Sequence, residues 1–137
     1  MDVYVASPAT RNLCFINELS RRLNGYPDIK PFFPAHLGDY TGSNEEMLYI
    51  EKICRNSIAK CDVMIAVYPF GLSVSNEIGR FTVYREMQPE HKRKLIIWDT
   101  SLRDSKEAKI LRSEAMIMPC IDAIVYDIDQ LLEQLQR

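Results

Sequence analysis

The amino-acid sequence predicts an α/β protein built on a doubly wound, five-stranded parallel sheet with helices on both faces. Three observations carry this reading. Short apolar runs of strand length alternate with segments of helical period along the whole chain. The strongest run, Val63 to Tyr68, is apolar without interruption, as a strand buried on both faces of a parallel sheet must be. Polar turns stand at the carboxyl ends of the strands, where open α/β sheets bind ligands.

Asp2 to Ala6 is strand one, and it closes on Ser7-Pro8, with Ser7 as N-cap and Pro8 at the first position of a helix. Leu13, Ile16, Leu19 and Leu23 keep one face of that helix apolar until Asn24-Gly25 and Pro27 end it. Ile29 to Phe33 is strand two, and Pro31 and Pro34 place it at a sheet edge. The loop from Pro34 to Gly42 holds His36, Asp39 and Tyr40 and is long enough to wall a pocket. Ser43 and Glu46 form a capping box, and Met47, Ile50, Cys54 and Ile58 mark the buried stripe of the helix it opens.

That helix leads into strand three, Val63 to Tyr68, which Pro69 and Gly71 stop. A polar loop with Ser73, Ser75 and Asn76 is expected next, delivering a helix with Glu77 in its first turn and its end at Met87. Pro89 and the charged run Glu90 to Lys94 read as an exposed return to strand four, Leu95 to Trp98. Asp99-Thr100-Ser101 turns into a helix from about Asp104 to Met118, ended by Pro119. Ile121 to Tyr126 is strand five, and Asp127 caps a last helix through Leu131, Leu132 and Leu135. With strand two at an edge the sheet takes the flavodoxin-like order 2-1-3-4-5, whose topological switch lies between strands one and three. Tyr4 to Thr10 and Tyr68 to Glu77 then face one crevice.

A chain of 137 residues forms one domain, 1–137, and buries roughly 68–70% of its unfolded surface, so it needs no disulfide or metal to fold. Lysine and arginine number 17 against 19 acids, for a net charge of −2, and they form no basic stripe. A nucleic-acid polymer is therefore not expected as partner; a small ligand is. Cys14, Cys54, Cys61 and Cys120 contain no C-x-x-C pair, and His36 and His91 stand apart from them, so neither a metal nor a cofactor is expected. The cysteines read as small core residues, and His36 and Asp39 as loop surface. No apolar run approaches ~18 residues and no signal pattern opens the chain, which predicts a cytoplasmic protein with reduced thiols and no membrane contact.

Glu77 is the first candidate for chemistry. A helix-dipole role would explain a glutamate in a first turn, but its crevice position, the hydroxyls of Ser73 and Ser75, and Gly79 point beyond that. Glycine inside a helix costs ~1 kcal/mol relative to alanine, so Gly79 suggests close approach by another group. A buried glutamate beside tyrosine and serine hydroxyls can attack an anomeric carbon and form a covalent glycosyl-enzyme. Tyr4 is a crevice-floor aromatic whose hydroxyl could orient Glu77. Helix N-termini attract phosphate, but Glu77 would repel one set against it, so any phosphate belongs toward Ser7 to Thr10.

These residues resemble the nucleoside 2-deoxyribosyltransferases and the related N-glycosidases of nucleoside 5'-monophosphates. Val3-Tyr4-Val5-Ala6-Ser7-Pro8 is similar to the family's opening strand, and Cys61 to Val67 to its third. Leu72-Ser73-Val74-Ser75-Asn76-Glu77-Ile78-Gly79 resembles the signature L-G-x-G-x-E-hydrophobic-G, with serines in place of both internal glycines. The resemblance implies that Glu77 attacks C1' of a ribosyl or deoxyribosyl group, that Tyr4 holds the carboxylate, and that Ser7, Pro8, Gly71, Ser73 and Ser75 line the substrate. Another base or water then accepts the sugar. Where the family commonly carries an aspartate to protonate the leaving base, this chain has Cys54, with Glu51 and Asn56 nearby; Gly71 replaces a polar residue ahead of the signature. The resemblance also implies a homodimer or larger assembly, with Ser113 to Ile117 completing the partner's site through Glu114 and Met116. Glu114 stands where the monophosphate hydrolases bind phosphate with a serine, which favours a nucleoside over a nucleotide. The alternatives are hydrolysis of a nucleotide and a non-catalytic nucleotide-binding module.

Overall fold

The computed structural model describes residues 1–7, 13–37, 42–102 and 104–137. Among them the elements run β1 (Asp2–Ala6), α1 (Leu13–Leu23), β2 (Lys30–Phe32), α2 (Asn44–Lys60), β3 (Val63–Tyr68), α3 (Leu72–Met87), β4 (Lys94–Asp99), α4 (Lys106–Ser113), β5 (Ala123–Val125) and α5 (Ile128–Leu135). Short 3-10 turns cover Pro34–His36 and Met118–Cys120. The strands form one parallel sheet in the order β2-β1-β3-β4-β5, the expected doubly wound topology. β2 has a neighbour on one side only, which is why Pro31 is tolerated inside it.

Strand alternation sorts the core into two layers. Val3 and Val5 of β1, Val63, Ile65 and Val67 of β3, and Ile96 and Trp98 of β4 pack against α1 and α5. Tyr4, Ala6, Met64, Ala66, Leu95 and Ile97 face the opposite way, toward Ile58 of α2, Val74, Ile78 and Phe81 of α3, and Leu111 of α4. β3 is buried along its whole length because both faces are covered.

Local capping explains the helix starts. Ser43 Oγ accepts from Glu46 N at 3.2 Å, Ser105 Oγ from Ala108 N at 3.2 Å, and Asp127 Oδ1 from Gln130 N at 2.8 Å. Gly42, just before the Ser43 cap, has φ 84°, a left-handed conformation in which a side chain would be strained. Ser7 as N-cap and Pro8 as first helical residue concern a helix start that lies outside the described residues, as do Asp39 and Tyr40.

The structure differs from the sequence reading at several boundaries. α3 begins at Leu72, with Gly71 as N-cap and no acidic residue in its first turn, so Ser73, Ser75 and Asn76 are helical and Glu77 sits in the second turn. Burial of Val74, which faces the sheet, outweighs the weak helix propensity of the serines. α4 stops at Ser113 instead of Met118: Glu114 turns extended and its carboxylate accepts from Met116 N at 3.1 Å, a local bond that competes with the helix. β5 is confined to Ala123–Val125.

The return before β4 is not wholly exposed either. Arg93 is buried, and its guanidinium donates to Ile58 O (3.1 Å), Ala59 O (2.6 Å) and Gln88 Oε1 (2.8 Å). It thereby satisfies carbonyls that the last turn of α2 leaves open and places a cation at the negative end of that helix. Cys14 is exposed, unlike the core residue expected there; Cys61 is buried, and Cys54 and Cys120 are half-buried.

Candidate active site

Tyr4 lies in the middle of β1, paired on one side with Phe32 and on the other with Met64. The alternation that sends Val3 and Val5 toward α1 sends Tyr4 toward α2 and α3, where it is fully buried. α3 presents Val74, Ile78 and Phe81 to the sheet. Glu77 stands about 60° off that stripe, half-buried on the flank of the helix. From α2, Glu51, Cys54 and Ile58 recur at the three- and four-residue spacing that shares one face.

These elements bring Tyr4, Cys54 and Glu77 together. Tyr4 Oη and Glu77 Oε2 are both buried, and among the described residues neither has a partner at hydrogen-bond distance and angle. Each nevertheless acts on the other's ionisation, so the pair is a close approach short of a completed hydrogen bond. Burial pushes the Glu77 carboxyl above its ordinary value, and the Tyr4 hydroxyl and Arg80 guanidinium draw it only part of the way back. Burial likewise drives the Tyr4 hydroxyl far up, and the Glu77 carboxylate and Cys54 thiol add to this, so Tyr4 keeps its proton. Burial raises the Cys54 thiol; the Tyr4 hydroxyl opposes the shift, and the Glu77 and Glu51 carboxylates reinforce it.

An outer layer of charge borders this group. Arg80 donates to Asn76 Oδ1 at 2.9 Å and to Glu51 Oε1 at 3.0 Å, and Arg55 approaches the same Glu51 oxygen at 3.7 Å. Arg80 ties α3 to α2 directly beside Glu77. Its part was legible only as an i+3 neighbour of Glu77 on a helical face, a spacing the sequence reading did not use.

The other predicted residues are placed unevenly. Ser7 follows β1, and its buried Oγ has no partner among the described residues; Pro8 lies outside them. Ser73 is exposed one turn before Glu77 on the same side of α3. Ser75 is turned about 200° from Glu77, and its Oγ donates to Gly71 O at 3.0 Å. Gly71 is exposed, and a Cβ built there would meet nothing within 4 Å. The same holds at Gly79, so no group among the described residues approaches it. Glu114 is half-buried and bonded to Met116 N, while Met116 is 82% exposed; neither is among the groups that act on Glu77.

A cavity of about 260 Å³ lies between Asp2, Lys30, Phe32, Ser57 and Cys61. Most of its lining belongs to the amino ends of β1 and β2 and the end of α2, opposite the end where α/β sheets bind ligands, and it reaches in as far as Tyr4. Among the described residues no group of three or more His, Cys, Asp or Glu side chains could hold a metal ion. Among them, too, no helix is long and apolar enough to cross a membrane.

Sheet order and site together define a doubly wound α/β protein with a carboxylate and a tyrosine hydroxyl beside the switch between β1 and β3. No protein-family model matches the chain, and no curated protein matches its sequence. Solved structures do match its fold. A 2-deoxyribosyltransferase from the psychrotolerant bacterium Bacillus psychrosaccharolyticus superposes with a TM-score of 0.66 at 15% identity, covering 96% of this chain and 90% of the other. A conserved protein from Enterococcus faecalis V583 gives a TM-score of 0.66 at 13% identity, covering 99% and 97%. The chain thus shares the fold of a 2-deoxyribosyltransferase over nearly its whole length, which is the fold that the sequence resemblance implied.

Proposed function

We propose that residues 1–137 form an enzyme that cleaves the N-glycosidic bond of a nucleoside and transfers the sugar to another base through a covalent adduct on Glu77. The observation that carries this reading is the meeting of Glu77 with Tyr4: a buried carboxylate with one oxygen free of partners faces a buried hydroxyl that keeps its proton. Such a carboxylate can attack C1' from one face of the sugar, and a second attack from the same side restores the configuration. Tyr4 holds the nucleophile in place by donating toward it. Ser73, one turn earlier on α3, and Ser7 beyond β1 would meet sugar hydroxyls, and the exposed Gly71 opens the helix that carries Glu77. The shared fold supports the reaction class.

The exposed Met116 and the turned-back Glu114 support a role at a subunit boundary, where Ser113 to Ile117 would complete the site of a second copy. Four free thiols are in keeping with a reducing cytoplasm. The test is incubation of wild type and Glu77→Ala with a panel of nucleosides and their monophosphates, with and without an acceptor base, read by chromatography. Base exchange that disappears in the variant is the expected result. Free sugar alone would make the protein a hydrolase, and ligand-induced stabilisation without turnover would make it a binding module.

A further inference from the structure

The cavity of about 260 Å³ at the amino ends of β1 and β2 plays no part in the reaction at Glu77. Its walls follow from strand and helix periodicity. Asp2 is the register partner of Lys30 and Tyr4 that of Phe32, and strand alternation turns all four side chains to the face that α2 covers, with Val3 and Pro31 between them. The facing wall is the end of α2 and its cap, where Ser57, Lys60 and Cys61 recur at the three- and four-residue spacing of one helical face. The gap between the walls exists because the edge strand is short. β2 is three residues long and pairs with β1 alone. α2 packs on β1. The Phe32 ring, 5.4 Å from the buried Tyr4 ring and tilted 31° to it, is left half-buried.

The lining has a consistent chemical character. Phe32 and Tyr4 give aromatic surface at the inner end, where a second ring gains offset or edge contacts as well as burial. Lys30 on the sheet wall and Lys60 on the helix wall are both exposed, and among the described residues neither is paired with an acid. Asp2 is the single acid of the lining, so the two ammonium groups leave it net positive. Burial pushes the Cys61 thiol up to about 12, and its Sγ donates to Ile58 O at 3.4 Å, so Cys61 adds no charge.

We propose that this cavity is a second ligand site, separate from Glu77, for a small aromatic anion: one planar ring against Phe32, with its anionic group between the ammonium groups of Lys30 and Lys60. A volume of about 260 Å³ is just below the roughly 300–1,000 Å³ of pockets for drug-sized ligands, which suits one ring with one charged substituent. A cation would meet two like charges, and an anion without a ring would leave the aromatic wall in water. Lysine ammonium groups are point charges without the planar fork that selects one anion geometry, so carboxylate and phosphate are both accepted. Tyr4 joins the two sites, since it closes the inner end of this cavity and its hydroxyl lies beside Glu77. The site itself does not depend on the reaction proposed above.

The experiment titrates the isotope-labelled protein with benzoate and phenyl phosphate, and with benzylamine, acetate and inorganic phosphate as comparisons, reading amide chemical shifts. We expect both aromatic anions to saturate with a Kd of about 1 mM or below, moving the amides of Lys30, Phe32, Ser57 and Cys61, and the three comparisons not to saturate at about ten times that concentration. Lys30→Gln combined with Lys60→Gln, both at exposed positions, should weaken binding about 2- to 30-fold, as the loss of two exposed ion pairs does. Added salt should weaken it as well. Ser57→Leu, which fills the cavity, should abolish binding, and Glu77→Gln should leave the Kd unchanged. No saturation by either aromatic anion, equal binding of benzylamine, or a Kd unmoved by the double lysine variant overturns the site. Shifts confined to α3 around Glu77, or loss of binding in Glu77→Gln, overturn it too, because they place the ligand elsewhere.

Discussion

Replacing Glu77 by glutamine separates what this side chain does for the fold from what it does for chemistry. Its Oε2 is buried without a partner, and one unpaired buried polar group costs about 1–3 kcal/mol, more when charged. Glutamine keeps the shape and removes the charge, so Glu77→Gln should gain about 1 kcal/mol at neutral pH, raising Tm by about 3–5 °C in a chain of this length. The sign of the pH dependence follows from the direction of the shift. Burial holds the folded-state value above the ordinary 4.5, so the native protein binds this proton more tightly than the unfolded chain. Wild-type stability from this group is fully present below 4.5 and is lost as pH rises through the folded-state value. The amide does not titrate, so the stability gap between variant and wild type should open across that window and close below it. Thermal denaturation of both proteins in steps from about pH 4 to about pH 8 reads this directly. A gap that does not change with pH, or a variant less stable than wild type at neutral pH, would refute the argument that Glu77 is an uncompensated buried carboxylate.

Tyr4→Phe removes a buried hydroxyl that has no completed partner, so stability should hold or rise by up to about 1 kcal/mol. Glycosyl transfer should fall about 10- to 100-fold, because a hydrogen bond to a charged group is worth about 1.5–3 kcal/mol; equal activity in the variant would remove Tyr4 from the mechanism. Arg93→Met leaves the Ile58 and Ala59 carbonyls without their donor and should cost about 2 kcal/mol, seen as a lower denaturant midpoint with an unchanged slope. Asp62 is pushed up by burial, but its bonds to His91 Nε2 at 2.7 Å and Asp2 N at 2.8 Å outweigh this and hold it below its ordinary 3.8. Its stabilisation is present above 3.8 and lost as pH falls through the lower folded-state value, so Asp62→Asn should flatten the acid limb of a Tm titration.

The layered fold was legible because the strongest signals in the chain are also the most buried parts of it. Val63 to Tyr68 could be read as a central strand since both its faces are covered, and Pro31 marked the edge because an edge strand needs no donor on its open side. The start of α3 was not legible. Serines and an asparagine after Pro69 and Gly71 carry loop propensity, and only the sheet beneath Val74 makes them helical. Glu114 misled in the same way, since the carboxylate that breaks α4 is an ordinary helix former until its side chain finds Met116 N. Arg93 sat in a charged run that looked solvated; its use depends on where α2 happens to end. Tyr4, Glu77 and the place of Cys54 could be proposed together from sequence, but Arg80 acquires meaning only when α2 is laid against α3.

The corrected start of α3 changes the reasoning about Glu77 itself. In a first turn, a glutamate is explained by the helix dipole, an interaction that falls off within that turn. In the second turn, half-buried, with one oxygen unpaired and burial working against its charge, the same side chain contributes nothing to the fold that a glutamine would not contribute better. Gly79, which sequence reasoning used in support, no longer bears on the question, since it faces away from Glu77 and nothing among the described residues approaches it. The case therefore passes to the three side chains that converge from β1, α2 and α3. Residues kept at a cost in stability and grouped so that each perturbs the others' ionisation are the kind that functional sites retain.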